Sequence, residues 1–209
     1  MKAKELAIPR EVVIVDSGGA NLASLRYAFE RLQCRTHVSS DGSTIASAER
    51  VVLPGVGAAA HAMQRLRTAG LMTVLRTLTQ PVLGICLGMQ LLFVHSEEGS
   101  TACLGVLPGA VHAMKPSVGR PVPHVGWNAL ARVRDDPLLG GVDDGAYAYF
   151  VHSYAASISE HTLASSEYGG ALSAAVLRRN FWGTQFHPER SGSTGARVLA
   201  NFLALQSCC

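Results

Sequence analysis

Gly84-Ile85-Cys86-Leu87-Gly88 sets a thiol between two glycines, after a short apolar run and ahead of a helical pattern. The spacing fits a nucleophile elbow with cysteine in place of serine: strand, tight turn, helix. Glycines suit such a turn because it strains the backbone and brings neighbouring main chain close, where a Cβ would clash. A helix starting at Leu87 would aim its free N–H groups and positive dipole end at the sulfur, favouring thiolate over thiol. The Leu87 N–H, directly after the nucleophile, would serve as an oxyanion donor. Free cysteine is also among the most buried residue types, so on this pentapeptide alone a small core hydrophobe competes with a nucleophile.

The second chemical signal is His187-Pro188-Glu189, at the end of the apolar run Gly183-Thr184-Gln185-Phe186. If residues 186–189 stay extended, His187 and Glu189 project to the same side, because strand side chains alternate with period two. Pro188 has a fixed φ and no N–H, which suits a strand end. A glutamate two residues beyond a histidine can accept from Nδ1, leaving Nε2 free to take and return a proton. A histidine alone is more often a core or surface residue. A cysteine elbow and a His/Glu pair in one chain make a triad of Cys86, His187 and Glu189 the better reading. His37, His61, His95, His112, His124, His152 and His161 show no HxxxH or HExxH spacing, so no metal and no cofactor is expected.

These side chains need elements to carry them. Val12 to Asp16 is a β-branched run suited to a strand buried on both faces, and Leu22, Leu25, Phe29 and Leu32 follow at helical spacing. Strands near Thr36 to Ser39, Val51 to Leu53 and Pro81 to Ile85, with helices around His61 to Leu78, continue the alternation. Such units predict an α/β fold: a mainly parallel central sheet with helices on both faces and its site at the carboxyl ends of the strands. After Gly99, alternating runs around 111–115, 127–133, 146–156 and 173–186 read as antiparallel strands added to one edge. A last helix presents Val198, Leu199, Phe202 and Leu205.

Composition narrows the function classes. In 209 residues, 48% hydrophobic and 16% charged, one domain is expected over 1–209, with its core about 11–206. The 18 Lys+Arg and 15 Asp+Glu are scattered, which argues against nucleic acid as main partner. No apolar run reaches membrane-span length, and no secretion signal is readable, so a cytoplasmic protein is expected. Five cysteines, with no CxxC pair, fit reduced thiols, and Cys208 and Cys209 are given no role.

The stretches GICLGMQ and QFHPERSG together resemble the class I (triad) glutamine amidotransferases. Leu53 to Met63, His124 to Asn128 and Tyr149 to Tyr154 further resemble the glutaminase subunits of imidazole glycerol phosphate synthases, from Val12 to the last helix. The resemblance implies the class I amidotransferase fold. It implies that Cys86 attacks the side-chain amide of L-glutamine, that His187 acts as acid and base, and that Glu189 orients it. It also implies a cyclase partner, a (β/α)8 barrel in a heterodimer. That partner would use the ammonia to make imidazole glycerol phosphate and aminoimidazole carboxamide ribotide in histidine biosynthesis.

Pro54-Gly55-Val56-Gly57 reads from its residues as a strand-to-helix loop and lacks the Lys-Ser/Thr of a phosphate loop. The resemblance makes it an oxyanion strand, with the Val56 N–H turned away at rest and beside Leu87 when active. It implies substrate contacts at Gly55, Gly57, Gln90, His152, Ser153 and Tyr154. It implies partner contacts at Asn21, Trp127, Asn128, Tyr149 and Arg190, although core packing competes for Trp127. Asp16 to Asn21 departs from the family's turn by lacking its tyrosine and one glycine. Another class I amidotransferase, a cysteine amide hydrolase and a non-catalytic binding module are the rival readings.

Overall fold

The computed structural model describes residues 11–17 and 22–206. Its first half builds the frame: β1 (Glu11–Val15), α1 (Leu22–Arg31), β2 (Arg35–Ser39), α2 (Gly42–Ser47), β3 (Val51–Leu53), α3 (Ala59–Thr68), α4 (Leu71–Thr77), β4 (Val82–Ile85) and α5 (Leu87–Gln90). The strands alternate between two cores. Val12, Ile14, Val52, Leu83 and Ile85 face one, with α1 and the last helix, while Val13, Val15, Val51, Leu53 and Val82 face the other, with α2, α3 and α4. Burial on both faces is why these runs are apolar without interruption. The expected helical stretch at 61–78 is divided by Gly70, whose φ of 69° starts a new helix at Leu71. Helix α2 has no counterpart in the sequence reading, although Asp41 caps it by accepting from Thr44 N at 2.8 Å.

The second half contributes β5 (His95–Ser96), β6 (Thr101–Ala102), β7 (Ala110–Ala113), β8 (His124–Ala129), β9 (Ala131–Arg132), β10 (Tyr147–His152), β11 (Tyr154–Ala156), β12 (Thr162–Glu167), β13 (Ala171–Arg178), β14 (Phe181–Thr184) and α6 (Gly192–Ala204). The main sheet runs β2-β1-β3-β4-β14-β13-β12-β9. Strand β14 is parallel to β4, while β13, β12 and β9 form the antiparallel edge.

The expectation that all the later strands join one edge is corrected. Strands β8 and β10 form their own ribbon, and β11-β7-β5-β6 forms a third sheet. The reason lies in side-chain alternation along β10: Ala148, Phe150 and His152 are buried while Tyr147 and Val151 are exposed. A strand with one apolar face covers a core from outside. The 146–156 run is accordingly cut at Ser153, and the 127–133 run at Leu130.

Helix α6 closes one core with Val198, Leu199, Phe202 and the following Leu205. It approaches the turn at Pro188 so closely that a Cβ on Gly195 would stand 1.8 Å from the Pro188 carbonyl oxygen. Gly195→Ala should therefore destabilise the fold by at least about 2 kcal/mol, as forced overpacking against backbone does. Gly105→Ala has a positive φ but open space, and should cost about 1 kcal/mol. Urea denaturation of both variants checks the order.

Candidate active site

Cys86 sits where β4 ends, its N–H donating to the Thr184 carbonyl at 2.7 Å as the last rung of the β4–β14 ladder. Its φ of 52° and ψ of −110° lie outside the favoured regions for a residue with a Cβ, a strain of about 1–3 kcal/mol held by the surroundings. The flanking glycines permit the turn. A Cβ on Gly88 would stand 1.8 Å from the Leu53 carbonyl oxygen, and one on Gly84 would stand 2.7 Å from the Gly88 oxygen. Helix α5 is one turn of four residues, shorter than expected, so few peptide dipoles add up. The local N–H groups carry whatever it contributes.

His187 follows β14 and donates its own N–H to the Tyr149 carbonyl at 2.9 Å. The expected extension through Glu189 is replaced by a one-turn 3-10 segment at Pro188–Arg190. Proline begins it because the first residue of such a turn needs no N–H. Ser191 Oγ donates to the His187 carbonyl at 2.7 Å and accepts from Tyr149 N at 2.9 Å, which pins the turn to β10. Within it His187 Nδ1 donates to Glu189 Oε1 at 2.8 Å. The pairing read from the spacing is present, closed by a turn instead of by strand alternation.

Among the described residues His187 Nε2 is buried without a hydrogen-bond partner, as is Glu189 Oε2. Burial disfavours the charged ring. The interactions with Cys86 and Glu189 outweigh that and push its pKa up to about 10. The Cys86 sulfur lies 3.7 Å from both the Val151 carbonyl and Gln185 Nε2.

A cavity of about 350 Å³ opens over these groups. Its walls include Cys86, His187 and Glu189, with Val56, Gly57, Leu87, Gln90, His152, Ser153, Tyr154 and Arg190 from the sequence reading. Gly55 packs beneath the wall, where a Cβ would stand 2.7 Å from Gly88 N. Gln90 Nε2 donates to the Tyr154 carbonyl at 2.8 Å and to Gln185 Oε1 at 3.0 Å. At the mouth, the Arg190 guanidinium lies 5.5 Å from the Tyr149 ring centre, and Trp127 meets Tyr149 edge-on at 6.0 Å. Trp127 is 55% exposed and so is no core residue. Asn128, beside it, donates to the Glu167 carbonyl at 2.9 Å. Asn21, Cys208 and Cys209 lie outside the described residues.

Gln185 and Glu98 escaped the sequence reading, as did Ser24, Pro123 and Val151 of the cavity wall. Gln185 is fully buried against the sulfur, and its place two residues before His187 in an extended run was a usable signal. Glu98 lines the cavity and accepts from Ala59 N at 2.7 Å, yet within Glu97-Glu98-Gly99 it reads as solvated charge. Among the described residues no group of three His, Cys, Asp or Glu could hold a metal ion, and no helix is long and apolar enough to cross a membrane.

The family model "Glutamine amidotransferase class-I" matches residues 13–205. The imidazole glycerol phosphate synthase subunit HisH of Xanthomonas euvesicatoria is 54% identical over 195 residues, covering 93% of this chain and 98% of that protein. Subunit HisH of Idiomarina loihiensis is 51% identical, covering 94% and 99%. Among solved structures, a glutamine amidotransferase aligns with a TM-score of 0.71 at 19% identity, over 92% of this chain and 97% of that one. PurLQS from Thermotoga maritima aligns at 0.68 and 21%, over 94% and 98%. The structural likenesses carry the α/β fold and the sequence likenesses carry the membership: the chain belongs to the class-I glutamine amidotransferase family, in its HisH branch.

Proposed function

We propose that this chain is a glutaminase subunit that hydrolyses the side-chain amide of L-glutamine and hands ammonia to a cyclase partner. The observation that carries the reading is one cavity walled by Cys86 and His187, with the imidazole held through Nδ1 by Glu189. Cys86 Sγ, as thiolate, bonds to the amide carbon, and the carbonyl π electrons move onto oxygen. The oxyanion is received by the Leu87 N–H and, once its peptide turns inward, by the Val56 N–H. When the intermediate collapses, the C–N bond breaks and His187 Nε2 gives its proton to the departing nitrogen. Water then attacks the γ-glutamyl thioester while the now neutral Nε2 takes its proton, and glutamate leaves as the C–S bond breaks.

The raised His187 value fits both halves of this cycle. Before attack, the ring carries the proton that leaving ammonia needs. Once the sulfur is acylated it no longer supports the imidazolium, so the ring's proton affinity falls and a base is at hand for water.

Ammonia in neutral water is mostly ammonium, which cannot attack, so a partner must receive it directly. The outward face of the β8–β10 ribbon supports such docking, since Val125, Trp127, Tyr147 and Val151 are all exposed there. By analogy with the HisH relatives, the partner is the (β/α)8 cyclase that forms imidazole glycerol phosphate and aminoimidazole carboxamide ribotide in histidine biosynthesis. A cytoplasmic location suits a thiol nucleophile, and Cys34, Cys86 and Cys103 are all free.

Cys86→Ala should abolish glutamine-dependent synthesis by the complex and leave synthesis from ammonium salts intact; loss of both would make Cys86 structural. The Val56 peptide acts as a switch worth about a hundredfold to a thousandfold in turnover. Glutaminase rates should therefore rise from the lone chain to the complex, and again when the partner's ligand is added. Equal rates in all three would remove the switch. Because the His187 pKa is raised from an ordinary 6.5 to about 10, its contribution to stability is complete below pH 6.5 and lost as pH rises through 10. Glu189→Gln should move the alkaline limb of kcat/KM to lower pH and shrink the stability difference between wild type and variant above that limb, read by pH-rate profiles and urea melts.

A further inference from the structure

The neighbours of Gln185 decide which end of its side-chain amide faces the sulfur. Gln90 presents one terminal atom to the Tyr154 carbonyl at 2.8 Å, and a carbonyl can only accept, so that atom is the NH2. The same NH2 lies 3.0 Å from the Gln185 amide, whose oxygen must therefore point to Gln90. The Gln185 NH2 is left to face Cys86 Sγ at 3.7 Å.

The Tyr154 carbonyl is itself fixed from the other side. His152 Nδ1 donates to it at 2.8 Å, so His152 Nε2 accepts from His124 Nδ1 at 3.2 Å. Burial holds the His152 pKa down to about 4, which keeps that ring neutral and the donor direction constant. From His124 to the sulfur each donor meets an acceptor, and reversing the Gln90 or Gln185 amide would set two like atoms face to face.

A buried sulfur anion needs hydrogen-bond donors as well as an opposite charge beside it. A carboxamide N–H supplies one such donor, and the amide nitrogen of Gln90 is committed to orienting it. We propose that Gln185 is a further catalytic residue, its Nε2–H donating to the Cys86 sulfur and stabilising the anion, with Gln90 as the positioning residue that sets its direction. The same N–H serves when the thiolate leaves at the end of the cycle. This assignment rests on reading Cys86 as the nucleophile.

The test is the pH profile of Cys86 alkylation by iodoacetamide in the full chain without glutamine, followed by mass spectrometry. Gln185→Met keeps the length and removes the N–H, while Gln185→Glu puts an acceptor there. One hydrogen bond to a charged group corresponds to roughly one pH unit, so alkylation at pH 7 should fall about tenfold in Gln185→Met and further in Gln185→Glu, with the limiting alkaline rate retained. In complex with the partner, kcat for glutamine should fall with KM unchanged, whereas a purely substrate-holding role would raise KM. Gln90→Met should reproduce a smaller drop in the same profile, which reads the orientation even if a Gln185 variant does not fold. Unchanged profiles in the variants, beside a wild type that alkylates and hydrolyses glutamine, would overturn the Gln185 assignment alone. A wild-type Cys86 inert to both reagents would overturn the nucleophile reading with it.

Discussion

Strands Val82–Ile85 and Phe181–Thr184 lie side by side and parallel in the middle of the main sheet, and the Cys86 N–H closes their ladder on the Thr184 carbonyl. The meeting of Cys86 with Gln185 and His187 depends on that pairing. Parallel neighbours end at the same edge, so the segments leaving them begin together, although Cys86 and Gln185 are 99 residues apart in sequence. Antiparallel pairing would have carried His187 to the opposite edge. The hairpin formed by Ala171–Arg178 and Phe181–Thr184 makes the parallel direction possible, since its second strand returns alongside the first half of the chain.

Bringing a thiol, an imidazole and a carboxylate into one buried place is costly, and the surroundings show how the cost is met. Each charge has an opposite or a donor within reach: Glu189 holds Nδ1 of the ring, and the ring's proton is supported by Cys86 and Glu189 against burial. The strained Cys86 backbone is held by the close passage of Gly88 against Leu53 on one side and the Thr184 bond on the other. The same residues that complete the hydrophobic cores therefore also hold Cys86 in its turn.

The cavity mouth joins this interior to the outside. Tyr149 sends its carbonyl inward to His187 and its ring outward to Arg190 and Trp127, so one residue touches both the His187–Glu189 turn and the exposed aromatic face. His124 stacks on Tyr168 at 3.8 Å between ring centres and is hydrogen-bonded to His152 in the cavity wall. These contacts join the β8–β10 ribbon directly to the cavity wall.

The sequence by itself determined the repeated strand-and-helix frame, because strands buried on both faces must be apolar at every position, as Val12 to Val15 are. It also determined the elbow and the His/Glu pair, because each depends on residues close in the chain whose geometry is local. The tertiary structure alone decided the rest. That the later strands divide among three sheets turned on which core lay nearby to cover, and alternation marks an apolar face without naming its partner. Glu98 and the direction of the Gln185 amide were set by contacts between distant segments. A hydrogen-bond direction or a cavity wall is a property of neighbours in space, and chain order does not specify those neighbours until the sheet has chosen its strand order.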